Sequence, residues 1–252
     1  MSNLFSLSDK IAAVSGCTRG IGRSMALGLA EAGADICLLQ RNVEDYKVRD
    51  EIRALGRKAE IVYLDVSKQE SVRDVVDRIL VVFPRLDILV NNAGIQRRYD
   101  AVEFPENEWD DVIQANLKSV FTLSQAAAKH MMTQGSGKII NTASLMSFQG
   151  GIRVPAYAAA KGGVGILTKA LANEWAKHSI NVNAIAPGYV DTELTQALVN
   201  DPERSKQILE RIPAGRWASP DDFKGPVVYL ASRASDYVHG EIMAVDGGWL
   251  AR

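Results

Sequence analysis

The sequence predicts an α/β fold: a doubly wound, mostly parallel sheet of about seven strands flanked by helices. Three observations carry this. Short β-branched and apolar runs alternate with longer helical patterns from one end to the other, the signature of repeated strand–helix units. Several of the runs are nearly all apolar, as strands covered on both faces are. No Pro/Gly/Ser-rich linker, internal repeat or low-complexity segment divides the 252 residues, so the reading is a single domain over 1–252.

Taken in order, the strand candidates are residues 11–15, 35–39, 60–64, 86–90, 138–141, 180–185 and 242–245. Between them lie helical patterns at 21–32, 43–55, 68–82, 109–132, 156–178 and 221–231. Right-handed crossovers place the C-terminal ends of parallel strands along one edge, where ligands bind in such sheets. One stretch, 188–213, has no clear period and lies between the sixth strand and the last helix. A long irregular segment at a strand's C-terminal end reads as a substrate lid rather than a connector.

Formal net charge is −1, with 23% charged and 47% hydrophobic residues. That balance gives no bulk attraction to nucleic acid or to an anionic membrane, and neither is expected as a partner. No apolar run approaches the ~18 residues that suggest a membrane span. The first residues, Met1 to Ser6, lack the basic-then-apolar pattern of a signal peptide, so a soluble, cytoplasmic protein is expected. Cys17 and Cys37 sit in or beside apolar runs and read as small core residues. His130, His178 and His239 have no ligand spacing, so no metal site is expected.

The first strand runs into Ser15-Gly16-Cys17-Thr18-Arg19-Gly20-Ile21-Gly22, and a helical run follows. Glycines here allow a tight turn, close approach of backbone to a pyrophosphate, and close helix–strand packing. The helix start then offers free N–H groups to the anion. The spacing is Gly-x-x-x-Gly-x-Gly, and glycines alone also just make turns, so its place after the first strand is what gives it weight. The fourth strand closes on Asn91-Asn92-Ala93-Gly94, which fits a cofactor crevice and a plain polar turn equally well. Tyr157 and Lys161 are four apart on one helical stretch and share a face. A lysine cation nearby favours the phenolate of a tyrosine whose reference pKa is ~10. Ser144, just past the fifth strand, can reach the same substrate oxygen. By itself, Tyr-x-x-x-Lys recurs by chance on surface helices.

Together the glycine segment, Asn91 to Gly94, Asn116, Ser144, Tyr157, Lys161 and Pro187-Gly188 stand in an order and spacing that resemble the short-chain dehydrogenase/reductase family over essentially the whole chain. Ser15 departs from that pattern, which has threonine there, but keeps the hydroxyl. The resemblance implies a Rossmann-type fold, a nicotinamide cofactor and a catalytic tetrad of Asn116, Ser144, Tyr157 and Lys161. In it Tyr157 is general acid in reduction and general base in oxidation, and Ser144 polarises the carbonyl. Lys161 lowers the tyrosine pKa and holds the nicotinamide ribose, while Asn116 keeps a relay water. The resemblance also implies cofactor contacts at Gly16, Thr18, Arg19, Gly20, Ile21, Gly22, Asp65, Val66, Asn91, Ala93, Gly94, Pro187, Gly188, Val190 and Thr192, and a homotetramer packed through the helices 109–132 and 156–178. Segments 147–155, 172–178, 212–217 and 244–252 are similar to one branch of the family, the 2-deoxy-D-gluconate 3-dehydrogenases, which points to a sugar-acid substrate.

An acidic residue after the second strand would bind the ribose 2′-hydroxyl of NAD. This chain has Gln40 and Arg41 there, with Arg19 in the glycine loop. Two guanidiniums and no carboxylate make a phosphate pocket, so NADP(H) is favoured and NAD(H) is the alternative. The competing reading leaves Arg41 pointing to water. On the substrate side, Gln96, Arg97 and Arg98 follow the Asn-Asn-Ala-Gly turn, and Gln149 and Arg153 lie between Ser144 and Tyr157. Arginines bind carboxylates bidentately, which suits a sugar acid; the alternative for Arg97 and Arg98 is solvated loop charge or subunit contact. Two other classes stay open, a reductase of simple ketones on the same scaffold and a non-catalytic nucleotide sensor.

Overall fold

Apolar alternation along each strand feeds two cores, one on either face of a parallel sheet. The computed structural model describes residues 4–252, so the signal-peptide reading rests partly on residues 1–3, outside the described ones. Among the described residues the sheet has seven strands: β1 (Ile11–Ser15), β2 (Asp35–Gln40), β3 (Ala59–Tyr63), β4 (Ile88–Asn91), β5 (Gly137–Thr142), β6 (Ile180–Pro187) and β7 (Ile242–Val245). Their order is β3-β2-β1-β4-β5-β6-β7, and every pairing is parallel. The chain winds outward from β1 to β3, then returns to place β4 on the other side of β1. That reversal opens a crevice beyond the carboxyl ends of β1 and β4.

The helices are α1 (Gly20–Glu31), α2 (Lys47–Ala54), α3 (Gln69–Arg73), α4 (Val75–Val82), α5 (Glu106–Ile113), α6 (Ser119–Gln134), α7 (Pro155–Trp175), α8 (Gln196–Val199), α9 (Pro202–Arg211) and α10 (Lys224–Ala231). Val14, Ile36, Leu38 and Val90 point to one face, under Met25 and Leu29 of α1 and Val227 and Leu230 of α10. Cys37, Leu39, Leu89 and Val182 point to the other, under Ile79 of α4, Leu123 of α6 and Leu171 of α7. Burying each large apolar side chain contributes about 1.5–3 kcal/mol, and strands covered on both faces collect that twice over.

The sequence reading differs from the structure where a period is broken locally. The helix expected at 68–82 divides at Asp74, whose φ of −103° and ψ of 7° leave the helical region. The helix expected at 109–132 starts at Glu106, after Pro105, and is widened by a π-helical turn at Gln114–Lys118. The stretch 188–213 is not irregular throughout, because it contains α8 and α9. Asp201 caps α9 by accepting from the backbone N–H groups of Glu203 and Arg204, both at 3.1 Å, and Pro202 sits in the first turn. Ile208 is the one buried residue of α9, so the apolar stripe that reveals a helix is missing. No helix among the described residues is long and apolar enough to cross a membrane.

Candidate active site

The crevice at the sheet's switch point is walled by backbone. Gly16 has φ +63° and Gly20 φ +54°, a region that favours glycine. A Cβ on Gly22 would stand 2.2 Å from the Gly16 carbonyl oxygen, and one on Gly94 would stand 2.5 Å from Asn116 Oδ1. The chain therefore approaches itself too closely for any side chain at either place. Arg19, at the start of α1, is extended, and no side chain caps that helix. Its first N–H groups and the positive end of its dipole face the crevice, which suits an anionic pyrophosphate. The Ser15 hydroxyl accepts from the N–H groups of Asn92 (2.9 Å) and Ala93 (3.0 Å). Asn92 Nδ2 donates back to Ser15 O and Gly16 O at 3.2 and 3.1 Å, locking the two turns together.

The four residues of the expected tetrad come from three elements: the π-helical turn holds Asn116, the turn after β5 holds Ser144, and α7 holds both Tyr157 and Lys161. Asn116 sits in the π-helical turn, a local widening often found at functional sites. Its side chain is fully buried and spent on one neighbour: Oδ1 accepts from Ile95 N (2.8 Å) and Nδ2 donates to Ile95 O (2.7 Å). It braces the loop after β4. Ser144 follows β5 and caps a short turn, its Oγ accepting from Met146 N at 3.2 Å. Tyr157 lies in the first turn of α7, where Pro155 fixes the helix start. Burial pushes the Tyr157 hydroxyl above its usual range, and a hydrogen bond with Ser144 pulls it partly back. Lys161 is buried and its pKa is pulled down to about 8 by desolvation. Its Nζ donates to Thr142 O at 2.5 Å and lies 5.8 Å from the Tyr157 ring centroid. Here the ammonium is held by β5, and burial outweighs any lowering of the tyrosine pKa.

Tyr157, Ser144 and Lys161 open into a cavity of about 500 Å³ that also reaches Ile21, Gly94, Pro187, Gly188, Val190 and Thr192. Gly16, Gly20, Gly22 and Ala93 stand at the adjoining turns. Thr18 is half-buried in the glycine loop. Asp65 and Val66 follow β3; Asp65 Oδ1 accepts from Ser67 N and Oγ at 3.0 and 2.7 Å. Three of the expected cofactor contacts have side chains engaged within the protein. The Asn91 side chain turns into the core, donating to Ser124 Oγ (3.0 Å) and Asn141 Oδ1 (2.9 Å). Gln40 is buried and its Nε2 donates to Asn42 O and Asp45 O, at 2.5 and 2.9 Å; it shapes the loop rather than facing a ribose. Arg19 is ion-paired with Glu193, so the pocket does contain a carboxylate, supplied by the segment after β6. Arg41 is exposed and makes no ion pair among the described residues.

The substrate assignments divide. Gln96, Arg98, Ser144 and Gln149 line the cavity. Arg97 and Arg153 do not: Arg97 is ion-paired with Glu108, and Arg153, at φ +65°, pairs with Asp100 at 3.0 Å. The sequence reading missed Arg204, Gln207 and Arg211 of α9, which form part of the wall. Their spacing of three and four puts them on one helix face. No aspartate or glutamate lines the cavity, while Arg98, Arg204, Arg211 and Lys161 do.

Residues 16–250 match the sequence family described as Enoyl-(Acyl carrier protein) reductase. The chain is 57% identical to the 2-dehydro-3-deoxy-D-gluconate 5-dehydrogenase of Escherichia coli K12, covering 98% of each chain. It is 43% identical to the gluconate 5-dehydrogenase of Gluconobacter oxydans, covering 98% of this chain and 96% of that one. Among solved structures it is similar to a gluconate 5-dehydrogenase from Burkholderia cenocepacia in complex with NADP and tartrate, at a TM-score of 0.95, 42% identity and coverage of 99% and 98%.

Proposed function

We propose a function from one premise: the chain belongs to the short-chain dehydrogenase/reductase family. It is an NAD(P)-dependent oxidoreductase that interconverts an alcohol and a carbonyl on a small sugar acid. The observation that carries the substrate class is the cavity above Tyr157, which holds four cationic side chains and no acidic one. Relatives named for gluconate and deoxy-keto-gluconate support it.

The residues fit a dinucleotide. The glycine cradle admits no Cβ at Gly22, and the uncapped start of α1 takes the pyrophosphate. The nicotinamide supplies or accepts the hydride when bound. Tyr157 gives its proton to the carbonyl oxygen in reduction and takes it back in oxidation, with Ser144 holding the same oxygen. Lys161 stands by the ribose, and Asn116 keeps the loop at Ile95 in place. NADP(H) is favoured, through Arg41 and through Arg19 when Glu193 releases it; a relative binds NADP. The segment 188–213 acts as a lid. Steady-state turnover of a panel of keto-acids and ketoses with NADPH and NADH tests this. Turnover of a deoxy-keto sugar acid with NADPH is expected, and its absence across the panel contradicts the reading.

Assembly as a homotetramer is part of the proposal. Trp109 of α5, Phe121 and Met132 of α6 and Ile166 of α7 are exposed apolar side chains on neighbouring helices, a surface that suits burial against other copies. Light scattering is expected to give four times the 27.4 kDa chain mass, and a monomer mass contradicts it.

A further inference from the structure

Helix α9 contributes a face that neither the fold nor the proton chemistry requires. Arg204, Gln207 and Arg211 recur along it at three and four residues, and all three border the cavity that contains Tyr157. Each guanidinium is held without a carboxylate. Arg204 Nη1 donates to Gln207 Oε1 at 2.9 Å. The Arg211 guanidinium carbon stands over the Trp249 ring, 4.0 Å from its centroid, and Trp249 is in turn fixed by donating from Nε1 to Gln149 Oε1 at 3.1 Å. The helix's acids are elsewhere: Glu203 accepts from Gln207 Nε2 at 3.4 Å, and Glu210 pairs with Lys206 at 3.9 Å. Two cations aimed at one cavity, preset by a neutral amide and an aromatic face, await an anion.

We propose that Arg204 and Arg211 bind the substrate's carboxylate and so determine that the enzyme takes sugar acids rather than neutral ketoses. The proposal rests on the oxidoreductase reading above and names which residues of that site select the acid. Arg97 and Arg153 are excluded because neither lines the cavity, each being turned to a carboxylate outside it, Glu108 and Asp100. Arg98 lines the same cavity as a lone guanidinium of the loop after β4, whereas α9 presents two on one helix face. Arg204 and Arg211 border the same cavity as Ser144 and Tyr157, so a carboxylate held on α9 leaves the carbonyl of the same substrate in the cavity of the proton donor.

The test compares Arg204→Gln, Arg211→Gln, the double variant and Arg211→Lys with the parent, all with NADPH. Two substrates are used: a deoxy-keto hexonate, and the ketose in which hydroxymethyl replaces the carboxylate. Each glutamine variant is expected to raise KM for the acid by about tenfold to a hundredfold, the range of a charge-assisted hydrogen bond. Turnover at saturation and the NADPH dissociation constant stay within about threefold. KM for the neutral ketose changes by much less than KM for the acid, the double variant loses most of the preference for the acid, and Arg211→Lys recovers part. If acid and ketose fall together, or if the variants keep the parent's preference for the acid, the assignment to α9 is overturned. A parent that uses the neutral ketose as well as the acid overturns the sugar-acid reading beneath it.

Discussion

The cofactor side and the substrate side of this crevice are built from different materials. Around β1 and β4 the walls are backbone: glycines too crowded for a Cβ, an uncapped helix start, and turns tied by Ser15 and Asn92. Around β6 the walls are long side chains on a short helix, α9, which buries only Ile208. Backbone walls tolerate almost no change, because a new atom has nowhere to go. Side-chain walls can be altered at little cost to the fold. The first region therefore fixes what the family shares, and the second is where substrate choice is free to vary.

Tyr157 stands where the two regions meet, and removing it should have the largest effect. Tyr157→Phe keeps the ring and deletes the proton. Turnover is expected to fall by at least ~10²–10⁴-fold, with NADPH affinity kept, as measured by steady-state rates and cofactor titration. A loss under tenfold would mean that the regions meet at another residue.

The pH dependence separates them next. Because burial holds the Tyr157 hydroxyl above its usual range, the phenolate needed for oxidation is scarce near neutrality. Oxidation should rise by about tenfold per pH unit from neutral upward, while reduction, which uses the protonated form, stays flat there. Lys161 adds a stability effect of known sign. Its folded pKa of about 8 lies below the ordinary lysine value, so between these two pH values the folded chain binds fewer protons than the unfolded one. Stability of the cofactor-free protein should therefore increase with pH from about 8 to about 9, above which the buried Cys17 and Cys37 thiols, pushed up by desolvation, work in the opposite direction. Melting temperatures that fall there would contradict it.

Smaller effects are expected at the outer edge of the cofactor region, the one part of it made of side chains. Arg41→Ala should weaken NADP(H) by about tenfold and leave NAD(H) nearly unchanged, one charge-assisted contact in exposed surroundings. Glu193→Gln should free Arg19 and tighten NADP(H) by up to about fivefold, since exposed ion pairs contribute ~1 kcal/mol or less. Ratios of kcat/KM for the two cofactors check both. Equal losses with NAD(H) and NADP(H) would show that Arg41 does not read the 2′-phosphate.

The same contrast decides how far the sequence could be read. Strand and helix order, the glycine loop and the pairing of Tyr157 with Lys161 were legible because each is a local pattern with a fixed period or spacing. The burial of Gln40 was not legible because it depends on how the loop through Asn42 and Asp45 folds over it. Arg97 and Arg153 looked available because nothing local announces that Glu108 and Asp100 will take them. Arg204 and Arg211 were hidden in a helix with almost no apolar stripe, though their spacing of seven was in plain view. Side chains whose roles depend on distant partners are the part that local patterns do not encode.

The central claim is that a backbone-built cofactor site faces an acid-free, cation-lined cavity made for a sugar acid. Its most direct test is the parent enzyme's kcat/KM with NADPH for a deoxy-keto sugar acid against its neutral ketose counterpart, at low and high ionic strength. The acid should be preferred by at least about tenfold, and the preference should shrink as salt screens the arginines. Equal use of both substrates, or a preference indifferent to salt, would contradict it.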